Sequence, residues 1–182
     1  MMVFLRGLID RVLLVSTAVA GGLVPGFINQ YRQRLGGRLD QARMDLAAWQ
    51  KIADQFFQGD IHKLIQNHAA SADAAIRAES RLVQSLADAV VNLQSAADAL
   101  HGSLWHQVAY LAVHSDPELV HATLTDWTPT FSLAPEGLLF AALCALTAWA
   151  VFHVLWWLIA TALAALARAL QGPAQRPGSR RA

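Results

Sequence analysis

Residues Gly137–Ala167 read GLLFAALCALTAWAVFHVLWWLIATALAALA, an apolar run without one Asp, Glu, Lys or Arg. As a helix rising about 1.5 Å per residue it reaches ~45 Å, more than the ~30 Å hydrocarbon layer of a bilayer. It therefore crosses with tilt, or its end emerges as an interfacial turn. Trp156 and Trp157 are placed to mark the far interface. Arg168 opens a basic end, and the closing GPAQRPGSRRA is too rich in Pro, Gly and Arg to build a core.

A second run, Val12–Ile28 (VLLVSTAVAGGLVPGFI), lies near the other end. It is slightly short of the roughly 20 residues that a span needs. The preceding turn, with Arg6, Asp10 and Arg11, must then snorkel at the interface. Arg6 and Asp10 are four apart, so they can pair on one helix face. The same stretch, ending in Ala18-Val19-Ala20 before Gly21, also reads as a signal peptide with a cleavage site. An uncleaved anchor is the reading taken, because the chain still carries Met1.

The chain has 182 residues, 55% of them hydrophobic and 15% charged, with a net charge of +1. Soluble domains run closer to about a quarter charged, so apolar residues concentrated at the two ends favour a membrane protein. The approach to the second run holds Asp116, Glu118, Asp126 and Glu136, and its exit holds Arg168, Arg176, Arg180 and Arg181. The positive-inside rule puts that exit in the cytoplasm. Two spans then return the N-terminus there as well, with the middle of the chain periplasmic and the whole in a bacterial inner membrane. Arg32, Arg34, Arg38 and Arg43 oppose this order, but long translocated segments escape the rule.

Between the runs, Ile28, Tyr31, Leu35, Leu39, Ala42, Leu46, Trp49, Ala53 and Phe56 recur at threes and fours, the stripe of a helix continuing from the first span. Gly36-Gly37 is its weak point and Gly59-Asp60 its end. Ile61–His68 reads as a short helix. From Ser71 a longer helix is expected, with Leu82, Leu86, Val90, Leu93, Ala97, Leu100, Leu104, Val108 and Leu111 as its stripe. It should pair antiparallel with the Tyr31–Phe56 helix. Ser115 and Glu118 form a capping box for a further helix through about Thr125, and Pro129 and Pro135 bound an extended connector. The fold expected is an all-α membrane protein, two transmembrane helices flanking an antiparallel helical hairpin or bundle. Its parts are an anchor over 1–28, a water-facing domain over 29–134, a transmembrane helix over 135–170 and a disordered basic tail over 171–182.

Chemistry is sparse. The lone cysteine, Cys144, lies in the second apolar run, which excludes an internal disulfide and a Cys-based metal site. The pairs His62/His68, His101/His106 and His114/His121 lack the three- or four-residue spacing that sets two ligands on one helical turn, so they read as surface histidines. His153 is different. It is an ionisable group inside an uncharged span, and either serves function there or bonds a neighbouring helix. No triad order, phosphate loop or carboxylate pair stands out, so neither catalysis nor a cofactor is expected. Nucleic acid is an unsuitable partner for a net charge of +1. Arg32, Arg34, Arg38 and Arg43 suit lipid headgroups instead. Ala18, Gly22 and Gly26, and Thr161, Ala165 and Ala169, repeat small residues every four positions. Such stripes let helices approach closely in lipid, within the chain or against another membrane protein or a second copy.

Gly22-Leu23-Val24-Pro25-Gly26-Phe27, Gln30-Tyr31, Arg34-Leu35 and Gln41-Ala42, then Asp116-Pro117 and the stretch from Pro129 to Leu138, carry a resemblance. The chain resembles the bacterial domain of unknown function 2937 family of small membrane proteins over nearly its whole length except the tail. The resemblance implies a membrane location and no established chemistry, so it assigns no catalytic residue. The expected role is an accessory, scaffold or assembly component. The alternative is a periplasmic sensing or ligand-binding module for a lipid-like ligand.

Overall fold

The computed structural model describes residues 2–170, with side chains for 4–168. The basic tail over 171–182 and the side chain of Ala169 lie outside the described residues. Six helices follow one another: α1 Met2–Phe56, α2 Ile61–Ala69, α3 Ala74–Ala99, α4 Leu104–His114, α5 Pro117–Thr125 and α6 Pro135–Leu170. There is no strand among the described residues. α1 and α6 are long and apolar enough to cross a membrane. Contacts gather the chain into two units, one of residues up to Gly22 with those from Leu133 onward, the other Leu23–Ser132.

In the first unit, the start of α1 meets α6. A Cβ on Gly21 would stand 2.9 Å from Cys144 Cβ and 3.1 Å from Ala141 Cα, so the two backbones are in close approach there. Asp10 meets His153, and Arg6 lies over the Trp156 ring. Partners climb from 144 to 156 as α1 descends from 21 to 6, so the two segments run antiparallel. Phe140, Ala141 and Ala145 are buried, while Leu143, Leu146, Val151, Val154, Leu155 and Leu158 are exposed.

In the second unit, the stripe read on α1 is the buried face. Ile28, Tyr31, Leu35, Leu39, Ala42 and Ala53 are buried, and α1 runs unbroken through Gly36-Gly37. Phe56 breaks the pattern at 73% exposure, and Phe57 packs instead against Ala53, Leu64 and Val83. The chain leaves the helix there through left-handed Gln58 and Gly59, whose N–H returns to the Ala53 carbonyl, and this turn swings the next residue inward. Asp60 then caps α2 by accepting from the N–H groups of His62 and Lys63.

The expected continuous helix from Ser71 to beyond Leu111 is two. α3 ends at Ala99, and His101-Gly102-Ser103 separates it from α4. Gly102 is a poor helix former, and Ser103, extended at φ −60° and ψ 160°, enters α4 from a non-helical turn. The face of α3 also shifts. Leu82 is 53% exposed and Val83 fully buried. α3 lies antiparallel to α1, with Val83 near Ala53, Gln94 bonded to Arg43, and Leu100 near Leu35. Leu100 and Leu119 join Tyr31 and Leu35 in one core, with Leu93, Tyr110 and Leu111 against it. The cap of α5 is Asp116 rather than Ser115. It accepts from the Glu118 and Leu119 N–H groups, and Pro117 occupies the first turn where no N–H is needed.

Candidate functional site

The four arginines that follow the first apolar run are expected to behave alike, but α1 points them in different directions. Arg34 pairs with Asp126 at 2.5 Å, and Arg38 with Asp116 at 3.3 Å and Glu118 at 3.0 Å. Both charges are spent holding α5 and its exit against α1. Between them Tyr31 is buried, and its phenol oxygen accepts the Asp116 N–H at 3.2 Å. Burial is the main cause that pushes its pKa above the ordinary value, and the Asp116 N–H bond opposes it.

Arg32 and Arg43 face another way. They line a cleft of about 580 Å³ whose floor is α1 and whose far wall is the end of α3. Asn29, Arg32, Gly36, Leu39 and Arg43 lie at threes and fours, so α1 presents them as one row. Gln94, Ala97 and His101 come from the α3 side. Arg43 donates to the neutral Gln94 amide oxygen and stands 3.8 Å from exposed Asp40. Among the described residues Arg32 has no carboxylate partner. A smaller hollow continues past Asn29 and Gln33 to Thr130, Phe131 and Ser132.

That hollow adjoins the connector after α5. A Cβ on Gly26 would overlap the Thr130 carbonyl oxygen, Gln30 donates to the Thr128 carbonyl at 2.9 Å, and the Trp127 ring meets Phe27 edge-on at 5.9 Å. So Gly26 admits the connector. Gly22 is buried and Ala18 half-buried on α1, while Thr161 and Ala165 are exposed on α6. Gly21, the neighbour of Gly22 in the stripe read in the sequence, stands at a close helix approach.

In the apolar unit, His153 Nδ1–H donates to the Trp149 carbonyl at 3.0 Å and lies 3.7 Å from Asp10 Oδ1. That carboxylate oxygen is buried and has no hydrogen-bond partner among the described residues. The i, i+4 spacing of Arg6 and Asp10 is not used as an ion pair among the described residues. Asp10 turns to α6, and Arg6 sits 5.2 Å from the Trp156 ring centre, where a guanidinium gains from the ring's negative face. His68 lies 3.5 Å from Glu79, His114 stacks on Tyr110, and among the described residues no three His, Cys, Asp or Glu side chains converge as metal ligands would.

Sequence reading isolated His153 but missed Asp10 as its partner, and missed Asn29, Gln33, Gln94 and His101 beside Arg32 and Arg43. The α1 row Asn29–Arg32–Gly36–Arg43 was the signal available. No curated protein and no solved structure matches the chain. A family described as proteins of unknown function, DUF2937, matches over residues 5–166, and this chain belongs to it.

Proposed function

We propose that the chain is an integral membrane protein without catalytic activity, acting as an accessory or assembly component. Its apolar unit sits in a bacterial inner membrane, its helical Leu23–Ser132 unit faces the periplasm, and both termini are cytoplasmic. The observation that carries this is the antiparallel meeting of the first half of α1 with α6. Two apolar segments so paired bury their small-residue contact and leave Leu143, Leu146, Val151, Val154, Leu155 and Leu158 outward. In water a helix face of exposed Leu and Val is unfavourable; in lipid it is the normal exterior. Antiparallel spans also return the chain to the side from which it came. Affinity purification in a mild detergent, followed by mass spectrometry, should return a stable membrane partner or a second copy. Recovery of the chain from the soluble fraction without detergent overturns the proposal.

The second reading, a ligand-binding module, is favoured by one observation, the arginine cleft. Arg32 carries a charge that no described carboxylate answers, on a surface with room beside it.

A further inference from the structure

The row Asn29, Arg32, Gly36, Leu39 and Arg43 on α1 faces Gln94 and His101 across the cleft of about 580 Å³, and among the described residues no acidic side chain lines it. Two of the four nearby arginines are neutralised by Asp116, Glu118 and Asp126 outside it. The positive charge left in the cleft is therefore that of Arg32, which has no carboxylate partner among the described residues, and of Arg43, which an exposed Asp40 at 3.8 Å screens only in part. Eleven residues separate them, about 16 Å along a helix axis and nearly the same face. A monatomic ion meets one of them. An anion with a polar body reaches both, with Gln33 and His101 beside it to bond its remaining oxygens, while Gln94 is held between Arg43 and Asp98. Guanidinium forks match phosphoryl oxygens in pairs.

We infer that this cleft is a binding site for a phosphate ester held between Arg32 and Arg43. The inference rests on the membrane-anchored reading for its lipid form. Asn29 and Arg32 follow within one turn the end of the apolar run at Ile28, the level at which headgroup phosphates lie. A soluble phosphate ester offers the same chemistry.

Two adjacent glycines give the test. Gly36 lines the cleft and Gly37 does not, and a Cβ on either meets nothing within 4 Å. Leu at either position raises helix propensity by a similar amount, but only Gly36→Leu fills the cleft. The full chain in neutral detergent is titrated with phosphatidylglycerol, phosphatidylcholine and inorganic pyrophosphate, and adducts are read by native mass spectrometry. The expected result is preference for phosphatidylglycerol over phosphatidylcholine in the wild type and in Gly37→Leu. Gly36→Leu and the double variant Arg32→Gln/Arg43→Gln should each weaken binding about tenfold or more. Pyrophosphate that displaces the lipid, or binds with the same pattern across the variants, assigns the site to soluble phosphate esters; lipid binding untouched by pyrophosphate assigns it to a headgroup. Equal binding by Gly36→Leu, Gly37→Leu and the wild type overturns the inference, as does a wild type that neither prefers phosphatidylglycerol nor binds pyrophosphate. If Gly36→Leu fails to fold, the arginine double variant decides by itself. A chain found soluble without detergent removes the membrane reading but leaves the pyrophosphate titration to decide the cleft.

Discussion

Tyr31 ties α1 to the start of α5 through one bond, from the Asp116 N–H to its phenol oxygen. Tyr31→Phe keeps the ring and should cost about 1 kcal/mol at neutral pH, the net worth of one hydrogen bond. Burial, the largest influence, raises the Tyr31 pKa in the fold. The folded chain therefore holds that proton to higher pH than the unfolded chain does. The contribution is whole below the ordinary tyrosine value of about 10 and is lost as pH rises through the folded value. Thermal unfolding near pH 7 and above about pH 10 should show wild-type stability falling more steeply than that of Tyr31→Phe; parallel falls would count against burial as the cause. Asp10 and His153 make a second residue-scale case. His153→Leu leaves Asp10 without its polar neighbour on α6, and Asp10→Leu leaves His153 with only the Trp149 carbonyl, whereas the double replacement leaves neither group behind. A cycle of Asp10→Leu, His153→Leu and the double variant, followed by denaturant titration in detergent, should give a coupling of about 0.5–3 kcal/mol. Additive losses would mean that the two groups stand side by side without interacting.

At the scale of the element, the faces of the helices decide what a substitution does. Leu100→Ala removes a fully buried side chain from the Tyr31–Leu35–Leu119 core and should destabilise by about 2–5 kcal/mol, while Leu82→Ala, on an exposed face of α3, should stay within about 0.5 kcal/mol. The reverse ranking in chemical unfolding would mean α3 is rotated from the face described. Gly21→Leu drives a side chain into Cys144 and the Ala141 backbone, and should part α1 from α6; Gly7→Leu meets open space and should not. Resistance of the folded chain to dodecyl sulfate separates the two. These contrasts also show what the sequence discloses. The α1 stripe from Ile28 to Ala53 was legible because one helix keeps one face against one core. The split between α3 and α4 was not, because Leu93, Ala97, Leu100 and Leu104 keep their threes and fours straight across it, and only Gly102-Ser103 marks the break. Phe57 replaced Phe56 because a left-handed turn resets the phase, which periodicity does not carry. The cleft and the Asp10–His153 pair were hidden for a plainer reason: each joins residues far apart in the chain, and a stripe on one helix does not name the group that faces it.

At the scale of the whole molecule, the proposed topology makes a simple demand. A cysteine introduced at Ser95, which is exposed on α3, should be labelled by an impermeant maleimide on intact cells, and one at Ser179 should be labelled only after lysis. Labelling of Ser179 alone would invert the order of the two sides. The same arrangement also sets a schedule. Asp10 is made near the beginning of translation and His153 roughly 140 residues later, which at about 5–20 residues per second is a delay of roughly 7–30 s. Throughout that interval the first apolar segment carries Asp10, whose eventual neighbour does not yet exist. On the proposed topology, such a segment is expected to complete its insertion only when α6 arrives. Slowing the ribosome between the two helices should therefore leave more of the nascent chain open to membrane proteases, and Asp10→Asn should shorten that window of exposure.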